Sequence, residues 1–319
     1  MTLVKSDFHS DNSRAGSFAR YPLTFYFIIA FAGTWIVWFL FVLSQDGARL
    51  LPFRSPMSFM AIMFLGQVTG PTLAAFVMTG VTEGKAGLRR FIGRIFEWRV
   101  GIQWYVFVLI GIPAIMSLGT LVLPGILPSF KPFDNPISEL ISYSAFYIYP
   151  VLLIGGPLFE EIGWRGFALP HLQERYGPMA ASLILGILWG FWHMPHWFSG
   201  QWTVPSIPNM AFFVFWITAM TFIMTWISNN TKGSVLMAIL AHASMDAFPN
   251  AILWPHFPAA TKLTDYHLLY GYLGLALGYG VMALLIIMFT RGRLGYQHHR
   301  PESGCLPHGW SAHTHKIRV

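Results

Sequence analysis

Eight stretches of this chain are too long and too apolar for the helices of an ordinary water-soluble domain. They run Pro22–Leu43, Met57–Val81, Trp104–Leu123, Leu140–Phe159, Pro178–Phe198, Met210–Ser228, Ser234–Leu253 and Leu268–Thr290. A helix needs about 20 residues to cross a hydrocarbon core, and each stretch meets or approaches that length. Lipid offers backbone N–H and C=O groups no partner, so such a stretch satisfies them internally as a helix. Barrel strands would be shorter and would alternate in polarity. The predicted fold is therefore all-α, a polytopic membrane protein with about eight transmembrane helices. The composition agrees, with 55% of residues hydrophobic and only 10% charged, against about 25% charged in soluble domains.

The formal charge of +7 does not point to nucleic acid, because the basic residues are scattered between the apolar runs. With eight spans, both termini lie on one side. That side collects Lys5, Arg14, Arg20, Lys85, Arg89, Arg90, Arg94, Arg99, Arg165, Arg175, Lys232, Arg291, Arg293, Arg300, Lys316 and Arg318, and the other keeps Arg49, Arg54, Lys131 and Lys262. Cytoplasmic loops carry the excess of Lys and Arg, so both termini are expected in the cytoplasm of a multi-pass protein of the cell membrane. Residues 1–21 form a polar cytoplasmic segment without the layout of a cleaved signal peptide. Residues 22–290 form the membrane domain. Residues 291–319 form a cytoplasmic tail, expected to be disordered, with His298, His299, His308, His313 and His315. Between spans, Gly87–Trp98 places Leu88, Phe91, Ile92 and Ile95 at helical spacing with arginines between them, the pattern of an amphipathic helix on a membrane surface. The single cysteine, Cys305, excludes a disulfide framework within the chain.

Ionisable groups inside membrane spans are costly, and they are paired or functional. Three places hold them. After the fourth apolar run comes Phe159-Glu160-Glu161-Ile162-Gly163-Trp164-Arg165. On a helix, Glu161 and Arg165 are four apart and share a face, so they neutralise one another. Glu160 points roughly 100° away with no cation on its own helix, and is left available. The fifth run ends Trp189-Gly190-Phe191-Trp192-His193-Met194-Pro195-His196, and the seventh carries His242-Ala243-Ser244-Met245-Asp246. His193 and His196 form an i, i+3 pair, and His242 and Asp246 lie four apart on one face. These groups are expected to face a shared interior, opening near the face where the termini lie. Glutamate and histidine can activate a water as general bases. They are also ligand types for a divalent metal such as zinc, for which Glu160, His193, His242 and Asp246 are the candidates. The zinc-protease His-Glu-x-x-His helix, the Gly-x-Ser-x-Gly elbow and the glycine-rich phosphate loops are all absent. A water-activating hydrolase is the chemistry that remains, with or without a metal.

Taken together, these motifs resemble those of the CPBP intramembrane proteases, which include type II CAAX prenyl endopeptidases and bacterial Abi-type immunity proteins. Glu160-Glu161-x-x-x-Arg165 matches the first family motif. Trp189-x-x-x-His193 is similar to the second, Phe-x-x-x-His, with an aromatic exchange. His242-x-x-x-Asp246 fits the aspartate form of the third, more often His-x-x-x-Asn. The motif-bearing core covers roughly residues 140–254. The resemblance implies peptide-bond hydrolysis, with Glu160 activating water, His193 assisting, His242 and Asp246 stabilising the oxyanion, and Glu161, Arg165 and Trp189 in support. Ionised aspartate can only accept hydrogen bonds, so Asp246 is protonated, orients His242, or binds a metal. The implied partners are the bilayer and a membrane-associated or lipid-modified peptide or protein. Two other classes fit the composition: a non-catalytic membrane immunity or scaffold protein that keeps the fold, and a proton-coupled transporter. A transporter would show paired halves with broken helices, and the chain has no such internal repeat.

Overall fold

The computed structural model describes Gly16, residues 18–148 and residues 156–297. The histidines of the tail and the middle of the Leu140–Phe159 run lie outside the described residues. Among the described residues there are helices and no strand, only an isolated bridge between Leu263 and Leu269. Seven helical segments are long and apolar enough to cross a membrane: α1 Pro22–Val42, α2 Phe59–Ile95, α3 Ile102–Leu121, α5 Gly156–Trp197, α6 Ile207–Asn230, α7 Val235–His256 and α8 Tyr270–Thr290. The shorter α4, Pro136–Ile148, lies between α3 and α5.

The 42-residue α5 is two helices in one. A straight helix would place Trp189 roughly 43 Å from Glu160 at 1.5 Å per residue, yet the Trp189 indole nitrogen lies 2.7 Å from the Glu160 carboxylate. The chain doubles back at Gly177, whose φ of 75° is a left-handed conformation closed to most residues. Pro178 then starts the returning arm, where its missing N–H costs nothing. Each arm is about a membrane thickness long, so the described residues hold helix enough for eight crossings. The described part of the crossing that carries Glu160 runs from Gly156 on through Arg165, so the helix does not stop at Phe159, where the predicted Leu140–Phe159 span ends. In α2 the helix breaks at Gly84. The piece beyond it buries Phe91 and Ile95 and exposes Arg89 and Arg90, while Ile92 of the predicted apolar face is exposed.

Two opposite ends of the bundle can be told apart by their contacts. At the terminal end, Arg94 donates to the Gly166 carbonyl, Ser234 to that of Glu97, and Asn229 to that of Leu294. Tyr26, one turn into α1, stacks on Phe167 there. At the loop end, Ser206 donates to the His267 carbonyl, Tyr270 to that of Pro124, and the Lys131 amide to that of His256. Helices pack closely where small residues meet, as in other membrane bundles. A Cβ on Gly119 of α3 would stand 2.3 Å from the Gly274 carbonyl of α8. Five tryptophans, Trp38, Trp164, Trp189, Trp192 and Trp197, are fully buried around the site.

Candidate active site

The first arm of α5 presents both glutamates inward. Thr72, within a π-helical turn of α2 at Val68–Thr72, donates its hydroxyl to the Phe159 carbonyl and holds this arm one residue before Glu160. Such turns often occur at functional sites, and a second one, Trp164–Ala168, carries Arg165. Glu160 is 3% exposed. Its Oε2 accepts the Trp189 indole N–H at 2.7 Å, and its Oε1 accepts from Gln67 Nε2 at 3.4 Å. Gly156 sits directly over this carboxylate, since a Cβ there would lie 2.3 Å from Glu160 Oε1.

Glu161 is the fully buried hub of the charged groups. Its Oε1 accepts from Arg165 Nη1 at 2.8 Å, the pair expected from their spacing, and lies 2.8 Å from His242 Nδ1. Arg165 also reaches Thr221 Oγ1 at 3.3 Å, and its guanidinium lies 4.1 Å from the centre of the Trp189 ring. One indole thus packs a cation on its face and gives its N–H to Glu160.

His193 stands near the end of the second arm of α5, at the break between Trp192 and Met194. Its Nδ1 is 2.8 Å from the Trp189 carbonyl. A carbonyl only accepts, so Nδ1 carries the hydrogen and Nε2 faces the site. That Nε2 lies 4.0 Å from Glu160 Oε2. The separation is too long for a hydrogen bond and suits a bridging water. His242, on α7, gives Nδ1 to Glu161 in the same way and turns Nε2 toward Asp246 Oδ2 at 3.5 Å. Glu161 therefore fixes this ring, and Asp246 stands at the nitrogen that faces the open space. The Asp246 side chain is 42% exposed. His196 lines the same cavity but makes no hydrogen bond or ion pair to these groups: its ring stacks on Phe59 at 5.1 Å, and its buried Nδ1 has no hydrogen-bond partner.

All four predicted groups, Glu160, His193, His242 and Asp246, line one cavity of about 440 Å³. Its walls are largely aromatic, with Trp38, Phe59, Trp202, Phe213 and Trp216. Phe59, Met60, Trp202, Thr203 and Leu269 come from the loop end, and none of the lining residues comes from the terminal end. The expectation that the site opens where the termini lie is therefore not met, because the doubled α5 carries His193 toward the opposite end. Among the described residues, no group of three or more His, Cys, Asp or Glu side chains is arranged to hold a metal ion.

Sequence reasoning passed over Gln67 and the link from Glu161 to His242. Gln67 is the only carboxamide in the Met57–Val81 run. A buried amide in lipid is costly unless bonded, and that was its available signal. Its Oε1 has no protein partner and its residue borders the cavity.

Comparison with known proteins places this arrangement. The family profile "Type II CAAX prenyl endopeptidase Rce1-like" matches residues 142–248, which include Glu160, His193, His242 and Asp246. The chain is 31% identical over 238 residues to the CAAX prenyl protease 2 of Methanococcus maripaludis, covering 70% of this chain and 82% of that protein.

Proposed function

Because this chain belongs to the type II CAAX prenyl endopeptidases, a family of intramembrane hydrolases, we propose that it cleaves a membrane-associated or lipid-modified peptide in the cell membrane by means of an activated water. The observation that carries this reading is the 4.0 Å gap between Glu160 Oε2 and His193 Nε2 inside the cavity. A water in that gap donates one hydrogen to the carboxylate and one to the imidazole, leaving its oxygen lone pair for attack. As the oxygen–carbon bond forms, the water's proton passes to Glu160, and the carbonyl oxygen becomes an oxyanion. His242 donates to that oxygen from Nε2, while its Nδ1 stays bound to Glu161. Asp246, 3.5 Å from Nε2, keeps a proton there until the oxyanion forms. Glu160 then returns its proton to the leaving amine, and the peptide bond breaks. The aromatic walls suit an apolar chain, whether side chain or lipid.

The test compares membranes carrying the Glu160→Gln protein with wild type, by mass spectrometry of peptides that accumulate uncleaved. A set of intact membrane peptides found only in the variant is expected. Identical peptide populations, with no hydrolysis by purified wild-type protein, would overturn the reading.

Two side chains give finer predictions. Asp246→Asn should retain substantial activity, because an amide can orient His242 or donate directly. Asp246→Ala should cost more, and His242→Ala about 10²–10³ in turnover, the usual loss for an oxyanion donor. An Asp246→Asn protein that is folded yet as inactive as Asp246→Ala would mean the carboxylate itself takes part. Trp189→Phe restores the family's commoner aromatic but cannot donate to Glu160. A hydrogen bond to a charged group is worth about 1.5–3 kcal/mol, so turnover should fall by about 10–100-fold, and thermal stability should also fall, because the buried indole bond is lost and the smaller ring leaves space beside Arg165. Unchanged turnover would show that the indole N–H is dispensable.

A further inference from the structure

Gln67 stands opposite Glu160 because of one irregular turn. The first α-helical stretch of α2, Phe59–Gln67, ends at this residue, and the π-helical turn Val68–Thr72 follows it. In a regular α-helix Gln67 and Thr72, five residues apart, would point about 140° from one another. A π-turn closes its hydrogen bonds between residues five apart and brings such a pair to nearly one face. Both side chains accordingly meet the first arm of α5 at successive residues. Thr72 donates to the Phe159 carbonyl, and Gln67 Nε2 donates to Glu160 Oε1 at 3.4 Å. Gly156 covers this contact, since a Cβ there would lie 2.3 Å from Glu160 Oε1 and 3.4 Å from Gln67 Nε2. The two oxygens of the carboxylate therefore differ. Oε1 is turned to Gln67 and Gly156, whereas Oε2 accepts the Trp189 indole N–H at 2.7 Å and faces His193 Nε2 at 4.0 Å. Gln67 is 8% exposed, and its own Oε1 is buried with no hydrogen-bond partner among the described residues. An unpaired buried carbonyl oxygen costs stability, so packing alone would be served better by an apolar side chain.

We infer that Gln67 is a positioning residue that acts through Glu160, an inference that rests on the protease reading above. By placing an N–H on Oε1, it leaves Oε2 as the oxygen that receives a proton. The water's proton reaches Oε2 as the water oxygen bonds the carbonyl carbon. The same proton leaves Oε2 for the amine nitrogen as the carbon–nitrogen bond breaks. Oε1 carries no proton at either stage. Without the amide, the carboxyl group can turn, or take the proton on the oxygen held toward Gly156. A proton there is out of line with the water beside His193 and is not handed on to the leaving group. Positioning of this kind acts on the rate of the bound complex, because a small misplacement of a reacting group is costly.

Steady-state kinetics on purified full-length protein test it, with a fluorescence-quenched prenylated peptide as the probe and thermal unfolding measured on the same preparations. Gln67→Met and Gln67→Leu both remove the donor and leave an apolar side chain suited to the interior. Each should lower kcat about tenfold, the lower end for a hydrogen bond to a charged group, as suits the long 3.4 Å contact. KM should stay within about twofold of wild type, because the interaction acts in the transition state. Thermal stability should stay near wild type, since the lost bond to Glu160 is offset by removal of the unpaired Oε1. Wild-type kcat in a folded variant would overturn the inference. A loss carried by KM would also overturn it, by making Gln67 a substrate contact. So would a fall in kcat that tracks a fall in stability, or the failure of both variants to fold, by making the amide part of the packing. In each of these cases the wild-type protein still cleaves the peptide, and the protease reading stands. No cleavage by the wild-type protein would count against the protease reading itself, and the positioning role would fall with it.

Discussion

Glu160→Gln should yield a membrane-inserted protein of normal stability in which hydrolysis is lost. The substitution keeps the shape of the side chain and leaves an oxygen for the Trp189 indole and one polar group near Gln67. It removes the carboxylate that lies 4.0 Å from His193 and would take a proton from a water between them. A general base contributes about 10²–10⁴-fold to rate, so turnover should drop by at least that range and Glu160→Ala should do no better. Among the described residues Glu160 makes no salt bridge to Lys or Arg, so the change strands none of those cations. Thermal unfolding in detergent and single-turnover cleavage would be measured on the same preparation. A well-folded Glu160→Gln protein with wild-type turnover would remove Glu160 from the mechanism.

Glu161→Gln should instead destabilise the protein. Its carboxylate is fully buried and holds both Arg165 and His242 at 2.8 Å. Breaking a buried ion pair by removing one partner costs about 3–5 kcal/mol, because the other charge is left uncompensated. Low yield or early unfolding is expected, and any folded fraction should also be impaired because His242 loses the group that fixes its ring. Removing the stranded charge separates the two effects. Glu161→Gln combined with Arg165→Met should recover much of the lost stability, since an apolar side chain of similar length suits that interior. It should not recover turnover, because His242 remains unanchored. Recovery of both would reduce Glu161 to a counter-ion for Arg165. Wild-type stability in the single variant would show that the hub carries little of the fold.

The contrast between these neighbours was readable before any coordinates. Arg165 follows Glu161 by four residues, and helix geometry alone pairs them, while Glu160 has no such partner. The same local rule placed Asp246 beside His242, and the two lie 3.5 Å apart in the structure. It did not reveal that Glu161 also holds His242, because those residues are 81 apart in the chain and on different helices. Nor did it single out Gln67, whose contact with Glu160 spans 93 residues. The span boundaries failed at one place for a related reason. Apolarity ends one crossing at Phe159, whereas the structure carries helix on through the charged stretch from Glu160 to Arg165. Hydropathy cannot count a helix whose charges neutralise one another inside the bundle.

By itself, then, the sequence determined that the chain is helical, that it lives in a membrane, and which side chains are too polar to face lipid. Lipid enforces these outcomes locally, since every buried backbone group must be bonded within its own helix and every intramembrane charge must find shelter. Only the tertiary structure decided which of the sheltered groups meet and where they open. The reversal at Gly177 brings Trp189 and His193 back to Glu160 across 29 and more residues of chain. The packing of α7 against the first arm of α5 sets His242 on Glu161, and the order of crossings puts the cavity away from the start of α1 and the end of α8. Those relations are set by how helices stack, which the periodicity of a single helix does not contain.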